Sequence, residues 1–467
     1  MIEAKVETKT KIKPSQRILG KYFSGESMDY REIIALFIPI LVDQAFIVGL
    51  NLVNTAMISS SGVAAISAVN MIDSINIFLI SIFVAVATGG TVVVAQYKGS
   101  GNELMVSNAT SGAVSSVSLI ALAIGLVGIL FHNPLLNLLF GAASPEVMDN
   151  ARTYLIGSCV SYLGIAVVQA ICGALRGIGR TRASLILSLI MNLAYVALNV
   201  VFISLLHMGV LGMTISINIA RYVGALCALY YLFRMDSSLH IRLRDLLIVQ
   251  ISMFKKIMFI GVPFAAEQVF FNGGKILTQI FIVGLGTYAI AANAIASTYA
   301  GLMQIPAGAL SLTLITVVGQ CIGRQNVADA RKFVKSFVWL TSLSFVLMAL
   351  LIMPLFHPIL SLFHPPKEIV SDIFLIVLIN AIAQVPLWAI SFIMPSGLRA
   401  AGDSKYTSIV SMLSMWLFRV VLGYVLGIVL HMGLLGFWLA MNCEWGIRGL
   451  IFIRRFLGEK WYQHRLI

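Results

Sequence analysis

Long apolar runs separated by short polar stretches dominate the chain. They predict twelve helical spans, at about 32–57, 64–97, 107–131, 147–174, 183–205, 209–233, 256–283, 287–320, 333–356, 369–396, 406–430 and 433–454. Each reaches the roughly 20 residues that a bilayer requires, and the longest tilt or continue as helix beyond it. The runs are continuous and do not alternate with a period of two, which excludes a membrane β-barrel. Backbone in hydrocarbon must satisfy its own hydrogen bonds, so the spans are helices.

The pattern repeats. The stretch PILVDQAF (39–46) returns as PFAAEQVF (263–270), placing Glu267 at 224 positions after Asp43. AQYKGSGN (95–102) returns as GQCIGRQN (319–326), and HMGVLG (207–212) as HMGLLG (431–436), both at the same 224-residue offset. ALRGIG (174–179) returns as GLRAAG (397–402) at 223. Ordered matches over this distance identify two copies of one unit. Each copy holds six spans, an even number, so both copies enter and leave the membrane on the same side. The expected architecture is all-α and integral to the membrane: twelve transmembrane helices in two six-helix bundles, related by a pseudo-two-fold axis along the membrane normal. Residues 1–31 are expected to form a cytoplasmic N-terminal segment, 32–235 the first bundle, 236–255 a cytoplasmic linker, 256–456 the second bundle and 457–467 a cytoplasmic tail. In such parallel repeats the site lies between the halves near mid-membrane.

Composition agrees with this picture. Hydrophobic residues make up 59% and charged residues 11%, with a mean hydropathy of +0.95, against about 25% charged residues in soluble domains. The net charge of +13 suggests nucleic acid until its placement is considered. Of 32 Lys and Arg, 26 fall in segments assigned to one side of the membrane. This positive-inside bias sets both termini in the cytoplasm of a multi-pass protein of the bacterial inner (plasma) membrane. The basic residues orient the chain and touch anionic lipid, and nucleic-acid binding is excluded. No signal peptide is apparent, and residues 1–25 read as a flexible or amphipathic lead-in. The five cysteines lie in spans without metal or disulfide spacing, and serve packing. No nucleotide-binding loop, metal-ligand cluster or nucleophile constellation occurs, so neither an enzyme nor a directly ATP-driven pump is expected.

The polar residues inside the spans carry the candidate chemistry. An acid at the centre of a span costs roughly 2.5–3.5 kcal/mol even on insertion scales. Asp43 and Glu267 occupy equivalent mid-span positions, and the simplest arrangement lines one central cavity with both. The alternative is a permanently protonated structural acid. Asn54 follows Asp43 by eleven residues, 20° past three full turns, so the two share a face, with Asn51 nearby. Asn70, Asp73 and Asn76 recur every three residues on one side of the second span. The fifth offers Asn192, Tyr195 and Asn199. In the seventh, Phe271 and Lys275 follow Glu267 by four and eight residues. These twelve residues are the candidates for cation coupling (Glu267, Asp43) and for the substrate cavity. Phe264, Phe270 and Phe271 read as packing, with stacking on a cation as the alternative, Arg221 and Arg419 as packing or cavity cations, Glu444 and Arg448 as a neutralising i, i+4 pair, and Arg176 and Arg399 as basic anchors in cytoplasmic turns. A buried carboxylate holds a proton or a sodium ion, and its charge state then biases which way the halves open. The coupling ion is therefore Na+ or H+, and no other cofactor is expected.

These residues resemble the multidrug and toxic compound extrusion (MATE) transporters. The resemblance spans about Arg31 to Trp461 and rests on LVNTAMIS, ATGGTVVVAQYKG, ALRGIGRTRAS, GVPFAAEQVFFNGGK, VVGQCIGRQN and GLRAAGDS, together with the twelve spans in two bundles. It implies an exporter of organic, often cationic and aromatic compounds, exchanged for protons or sodium ions by rocking between inward- and outward-open states. The family's seventh-helix acid falls on Glu267. Its first-helix acid, in a G-x-V-D-T pattern, falls on Asn54 in LVNT, so Asp43 becomes the candidate replacement. The family's fifth-helix asparagines fit Asn192 and Asn199, while Tyr195 stands where a further Asn is common. The partners implied are small organic cations and membrane lipids, and a monomer suffices because one chain holds both bundles. Two other readings are a flippase for a lipid-linked or amphipathic substrate and a membrane sensor that no longer transports.

Overall fold

A computed structural model describes residues 20–467 other than 142, 236–238, 240, 362 and 465, and leaves out the side chains at 51, 52, 55, 56, 59, 235 and 247. Among the described residues twelve long helices follow one another. The first six are α1 (Tyr30–Ser59), α2 (Val63–Gly99), α3 (Glu103–Leu130), α4 (Pro145–Gly177), α5 (Thr181–Leu205) and α6 (Gly209–Arg234). The second six are α7 (Ile251–Val283), α8 (Thr287–Gly323), α9 (Val327–Ile352), α10 (Lys367–Ala400), α11 (Ser404–Val429) and α12 (Gly433–Leu457). Ten are long and apolar enough to cross a membrane by composition. The remaining two, α7 and α12, each carry four charged residues. Each predicted span has its helix. The ends differ most at 333–356, where α9 stops at Ile352 and a short helix, Phe356–Ser361, follows.

The repeated motifs turn out to be repeated caps. Asn102 and Asn326 accept at Oδ1 from the backbone N–H of Met105 (3.1 Å) and Asp329 (3.0 Å), starting α3 and α9 alike. Gly62 and Gly286 precede α2 and α8 with φ of +100° and +103°, a conformation that costs glycine nothing and L-residues a great deal. Helices α5, α6, α10 and α11 contain π-helical turns, including Ala389–Ile393 and Met415–Leu422. Such turns insert a residue and re-aim the side chains beyond. Ser391 and Arg419, each set in one of these turns, contact Arg448 and Glu444 respectively.

One core is built from α1–α6 and extends to Met253 and Ile257 of α7; the other is built from α7–α12 and reaches Met28, Ile33, Leu36 and Val92. The halves meet where α2 packs on α7 and α8, and α1 on α8. Their contact is reciprocal. Gln96 donates through Nε2 to the Ala400 carbonyl at 2.8 Å, and Gln320 donates to the Gly177 carbonyl at 2.9 Å. Thr316 adds a bond to the Arg176 carbonyl at 3.1 Å, and Lys256 one to the Tyr97 hydroxyl at 2.6 Å. The backbones of α2 and α8 touch at Gly99 and Gly323, where any Cβ would collide with the carbonyls of Gln320 and Gln96 respectively. The repeated Gln-x-x-Gly thus forms a symmetric clasp between the bundles.

Of the lead-in expected at 1–25, residues 1–19 lie outside the described residues, while residues 20–25 are tied to the second bundle. Residues 20–29 strap across to the second bundle. The Ser27 N–H donates to Asp329 Oδ2 at 2.7 Å, Arg324 donates to the Ser27 carbonyl, Ser336 donates to the Tyr22 carbonyl at 2.6 Å, and Phe23 packs edge-on against Phe337. A Cβ at Gly25 would collide with the Asp329 carboxylate and force it to shift away from the strap. Cys321, fully buried, neighbours Ser27 beneath this strap. Asp329→Ala is therefore expected to free the strap and expose Cys321 to a water-soluble maleimide, read by mass spectrometry. Protection equal to that of the parent protein would show that Asp329 does not anchor it. The C-terminal residues are likewise docked: Arg455 bonds Asp403 through two nitrogens (2.7 and 3.0 Å), and Trp461 is fully buried.

Candidate functional site

In the first bundle, α1, α2, α4, α5 and α6 enclose a cavity of about 610 Å³ whose walls include Asn54, Asn70, Asp73, Asn76 and Tyr195. Asp73 Oδ1 accepts from the Tyr154 hydroxyl at 3.0 Å and from Asn76 Nδ2 at 3.2 Å. Asn76 in turn accepts from Tyr162 (2.8 Å) and donates to Ser158 (3.1 Å). Arg221, also on the wall, donates to Ser161 at 2.7 Å. One carboxylate and one guanidinium make this cavity near neutral. Asn199, fully buried, sits behind the wall and donates to Asn54 Oδ1 at 2.9 Å. The side chain of Asn51 lies outside the described residues.

Asp43 is not part of that cavity, despite sharing a helix face with Asn54. It lies about three turns along α1, in the seam with α5, at 7% exposure. Its surroundings are polar through Ser188 and Arg176, yet Oδ1 has no hydrogen-bond partner. Arg176 donates instead to Ser184 at 3.3 Å, and Asn192 donates to the Ser188 carbonyl at 2.9 Å. A buried carboxylate oxygen left without a donor is rare and costs free energy. A bound proton or cation would satisfy it.

Glu267 occupies the equivalent place in the second bundle, in a cavity of about 260 Å³ that Phe264, Phe271, Ser396 and Arg399 also line. Here the acid is engaged. Arg399 Nη2 lies 2.8 Å from Glu267 Oε2, and the Ser408 hydroxyl donates to the same oxygen at 2.9 Å. The Arg399 guanidinium rests 3.7 Å from the centroid of the Phe264 ring. This corrects the reading of Arg399 as a basic anchor in a turn: α10 runs on to Ala400, and its last long side chain folds back into the core at 4% exposure. Of the two readings of the aromatics, packing and stacking on a cation, Phe264 and Phe271 follow the second, since both carry cations on their faces. The Glu267–Arg399 and Asp43–Arg176 pairs occupy corresponding places in the two units, one closed and one open. Beyond Glu267, fully buried Glu444 holds Arg448 at 2.8 Å and Arg419 at 3.5 Å. Arg448 also donates to Ser391 at 2.7 Å and stacks on Phe392 at 4.3 Å. Lys275 faces a further cavity of about 290 Å³ with Arg419 and Trp438.

The candidate residues are therefore distributed over three cavities and one seam, each lined by a single bundle. Among the described residues, Asp43 and Glu267 do not line one of these cavities together: Glu267 faces the second bundle's cavity of about 260 Å³, and Asp43 lies beside Ser188 and Arg176 in the α1–α5 seam.

A model of the MatE family matches residues 39–201 and 263–425. The two matched blocks are offset by the same 224 residues as the motifs. The chain belongs to the MatE family. As a MatE chain it is a multi-pass membrane transporter rather than an enzyme. It is 26% identical over 438 residues to an uncharacterized transporter, YisQ, of Bacillus subtilis, an alignment covering 92% of this chain and 95% of that one. It is 25% identical over 446 residues to the probable multidrug resistance protein NorM of Thermotoga maritima, covering 94% of each. Its fold matches, at a TM-score of 0.80 and 19% identity, a structure described as the outward-facing conformation of a multidrug resistance MATE family transporter, over 91% of this chain and 95% of that one.

Proposed function

We propose that this MatE protein is a secondary active antiporter of the cell membrane, with both termini cytoplasmic, that exports organic cations or drugs in exchange for Na+ or H+ by alternating access. The observation that carries the reading is the Glu267–Arg399–Ser408 cluster. It is a carboxylate inside a membrane helix whose counter-charge comes from a different helix. A sodium ion or proton arriving at Glu267 competes with Arg399, so occupancy changes what holds α7 to α10.

The route from ion to bundle motion is short. Arg399 immediately precedes Ala400, whose carbonyl Gln96 grips from the other bundle. Arg176 immediately precedes Gly177, whose carbonyl Gln320 grips in return. Each acid–arginine pair is thus one residue from one half of the clasp. Releasing Arg399 shifts the carbonyl that the clasp holds, giving the bound ion different affinities for the clasped and unclasped arrangements, as coupling demands. The first bundle's cavity suits the cargo. At about 610 Å³ it is of ligand size, with Tyr154 and Tyr195 for aromatic faces and Asp73 for a cationic group. Relatives named as multidrug resistance proteins support the same substrate class.

Counterflow tests transport without reference to coupling. Proteoliposomes preloaded with unlabelled ethidium are expected to take up trace labelled ethidium well above protein-free vesicles. Uptake equal to that of empty vesicles would reject the exporter reading.

A further inference from the structure

Around Glu267 and Glu444 the second bundle gathers four cations, Lys275, Arg399, Arg419 and Arg448, against those two carboxylates. Both carboxylates are taken: Glu267 by Arg399 at 2.8 Å, Glu444 by Arg448 at 2.8 Å and Arg419 at 3.5 Å. Among the described residues Lys275 has no carboxylate within ion-pair distance. Its ammonium lies 4.8 Å from the centroid of the Phe271 ring, which the Arg419 guanidinium approaches to 5.4 Å.

The surplus charge is concentrated on one surface. Lys275 and Arg419 both line the cavity of about 290 Å³, Lys275 exposed within it and Arg419 buried in its wall. Neutral hydrogen-bonding groups complete the polar side. Trp438 Nε1 donates to Asn293 Oδ1 at 3.1 Å, and Asn293 Nδ2 donates to Gln279 Oε1 at 3.0 Å, so the relay ends on a Gln279 amide whose own N–H groups remain to donate. Ile282, Phe437 and Met441 supply an apolar side. The repeat architecture does not impose this charge. In the first unit Asn51 stands in the place of Lys275, and α5, which corresponds to α11, has no charged residue between Arg182 and His207. A single-sign cleft with low-dielectric walls focuses its field on the opening and concentrates ions of opposite sign there.

We propose that this cavity binds the anionic group, a carboxylate or phosphate, of an amphipathic organic molecule whose apolar part rests against Phe437 and Met441. The subsite's role in export rests on the antiporter reading, but its binding chemistry is tested without transport. The probes are 1-naphthoate and its cationic counterpart 1-naphthylmethylammonium, titrated into the purified protein by calorimetry. Naphthoate is expected to bind at least about tenfold more tightly, since only the anion can make a charge-assisted contact with Lys275. Lys275→Gln removes that preference and Lys275→Arg retains it, while Arg419→Gln weakens naphthoate in the same direction. Because Lys275 is exposed and unpaired, K275Q is expected to melt at the parent temperature, so lost binding is not lost folding. Competition by short-chain phosphatidylglycerol assigns the site to a lipid phosphate; its absence assigns it to soluble organic anions, and Lys275 is required in both cases. Equal affinity for the two naphthyl probes, or an unchanged naphthoate Kd in K275Q and R419Q, overturns the proposal. Failure of ethidium counterflow with naphthoate binding intact would reject the exporter reading alone.

Discussion

Glu267→Gln is expected to reduce ion-driven export to background. Glutamine keeps the shape and can still accept from Ser408 and Arg399, but it can no longer change charge, so an arriving ion has nothing to neutralise. The substitution also leaves Arg399, 4% exposed, without its counter-ion. Orphaning one partner of a buried pair costs on the order of 3–5 kcal/mol. A loss of transport in the single variant is therefore ambiguous, and a second variant resolves it. Glu267→Gln with Arg399→Gln removes both charges together and is expected to recover most of the melting temperature while export stays at background. Recovery of gradient-driven export in the double variant would mean that the pair is structural and that coupling resides elsewhere, with Asp43 the next candidate.

The second large effect is expected at Glu444. This residue is fully buried, between Arg448 at 2.8 Å and Arg419 at 3.5 Å. Glu444→Gln leaves two guanidinium groups and the nearby Lys275 without any negative charge in that part of the bundle. A destabilisation of roughly 3–5 kcal/mol follows from the uncompensated burial alone. It is read as a lower melting temperature in detergent and a smaller folded fraction in the membrane. Glu444→Gln with Arg448→Gln should recover part of the loss. The recovery is incomplete because Arg419 stays behind, set in its π-helical turn. A parent-like melting temperature for Glu444→Gln would mean that water, not Glu444, supports these cations.

The spans and the two-unit plan were legible in the sequence for a simple reason. Lipid demands continuous apolar helices, and a duplicated unit repeats its caps and glycines at a fixed offset. Asn102 and Asn326 are visible as a pattern because each performs the same local task in its own unit. What the pattern does not contain is how the units lean on each other. The face argument aligns Asp43 with Asn54, but about three turns of helix separate the α1–α5 seam at Asp43 from the cavity at Asn54. Periodicity measures angle around a helix and says nothing of the neighbour met at each depth. Arg399 was obscured by its place at a helix end beside Gly402, where a basic residue ordinarily anchors a turn. A signal did exist: Asp43 and Glu267 repeat, and so do Arg176 and Arg399, and two opposite charges repeated together suggest a pair. The strap of residues 20–29 has no apolar period at all. Its order comes from hydrogen bonds to Asp329 and Arg324, 302 and 297 residues away, and only the folded chain reveals them.

The measurement that bears most directly on antiport is ethidium efflux from proteoliposomes under a sodium gradient and under a pH gradient, imposed separately. The parent protein and the Glu267→Gln, Arg399→Gln double variant are compared side by side. The account predicts that one of the two gradients drives efflux through the parent protein, naming the coupling ion, and that the same gradient drives none through the variant. Efflux through the parent protein that ignores both gradients, or equal gradient-driven efflux through the variant, would contradict it.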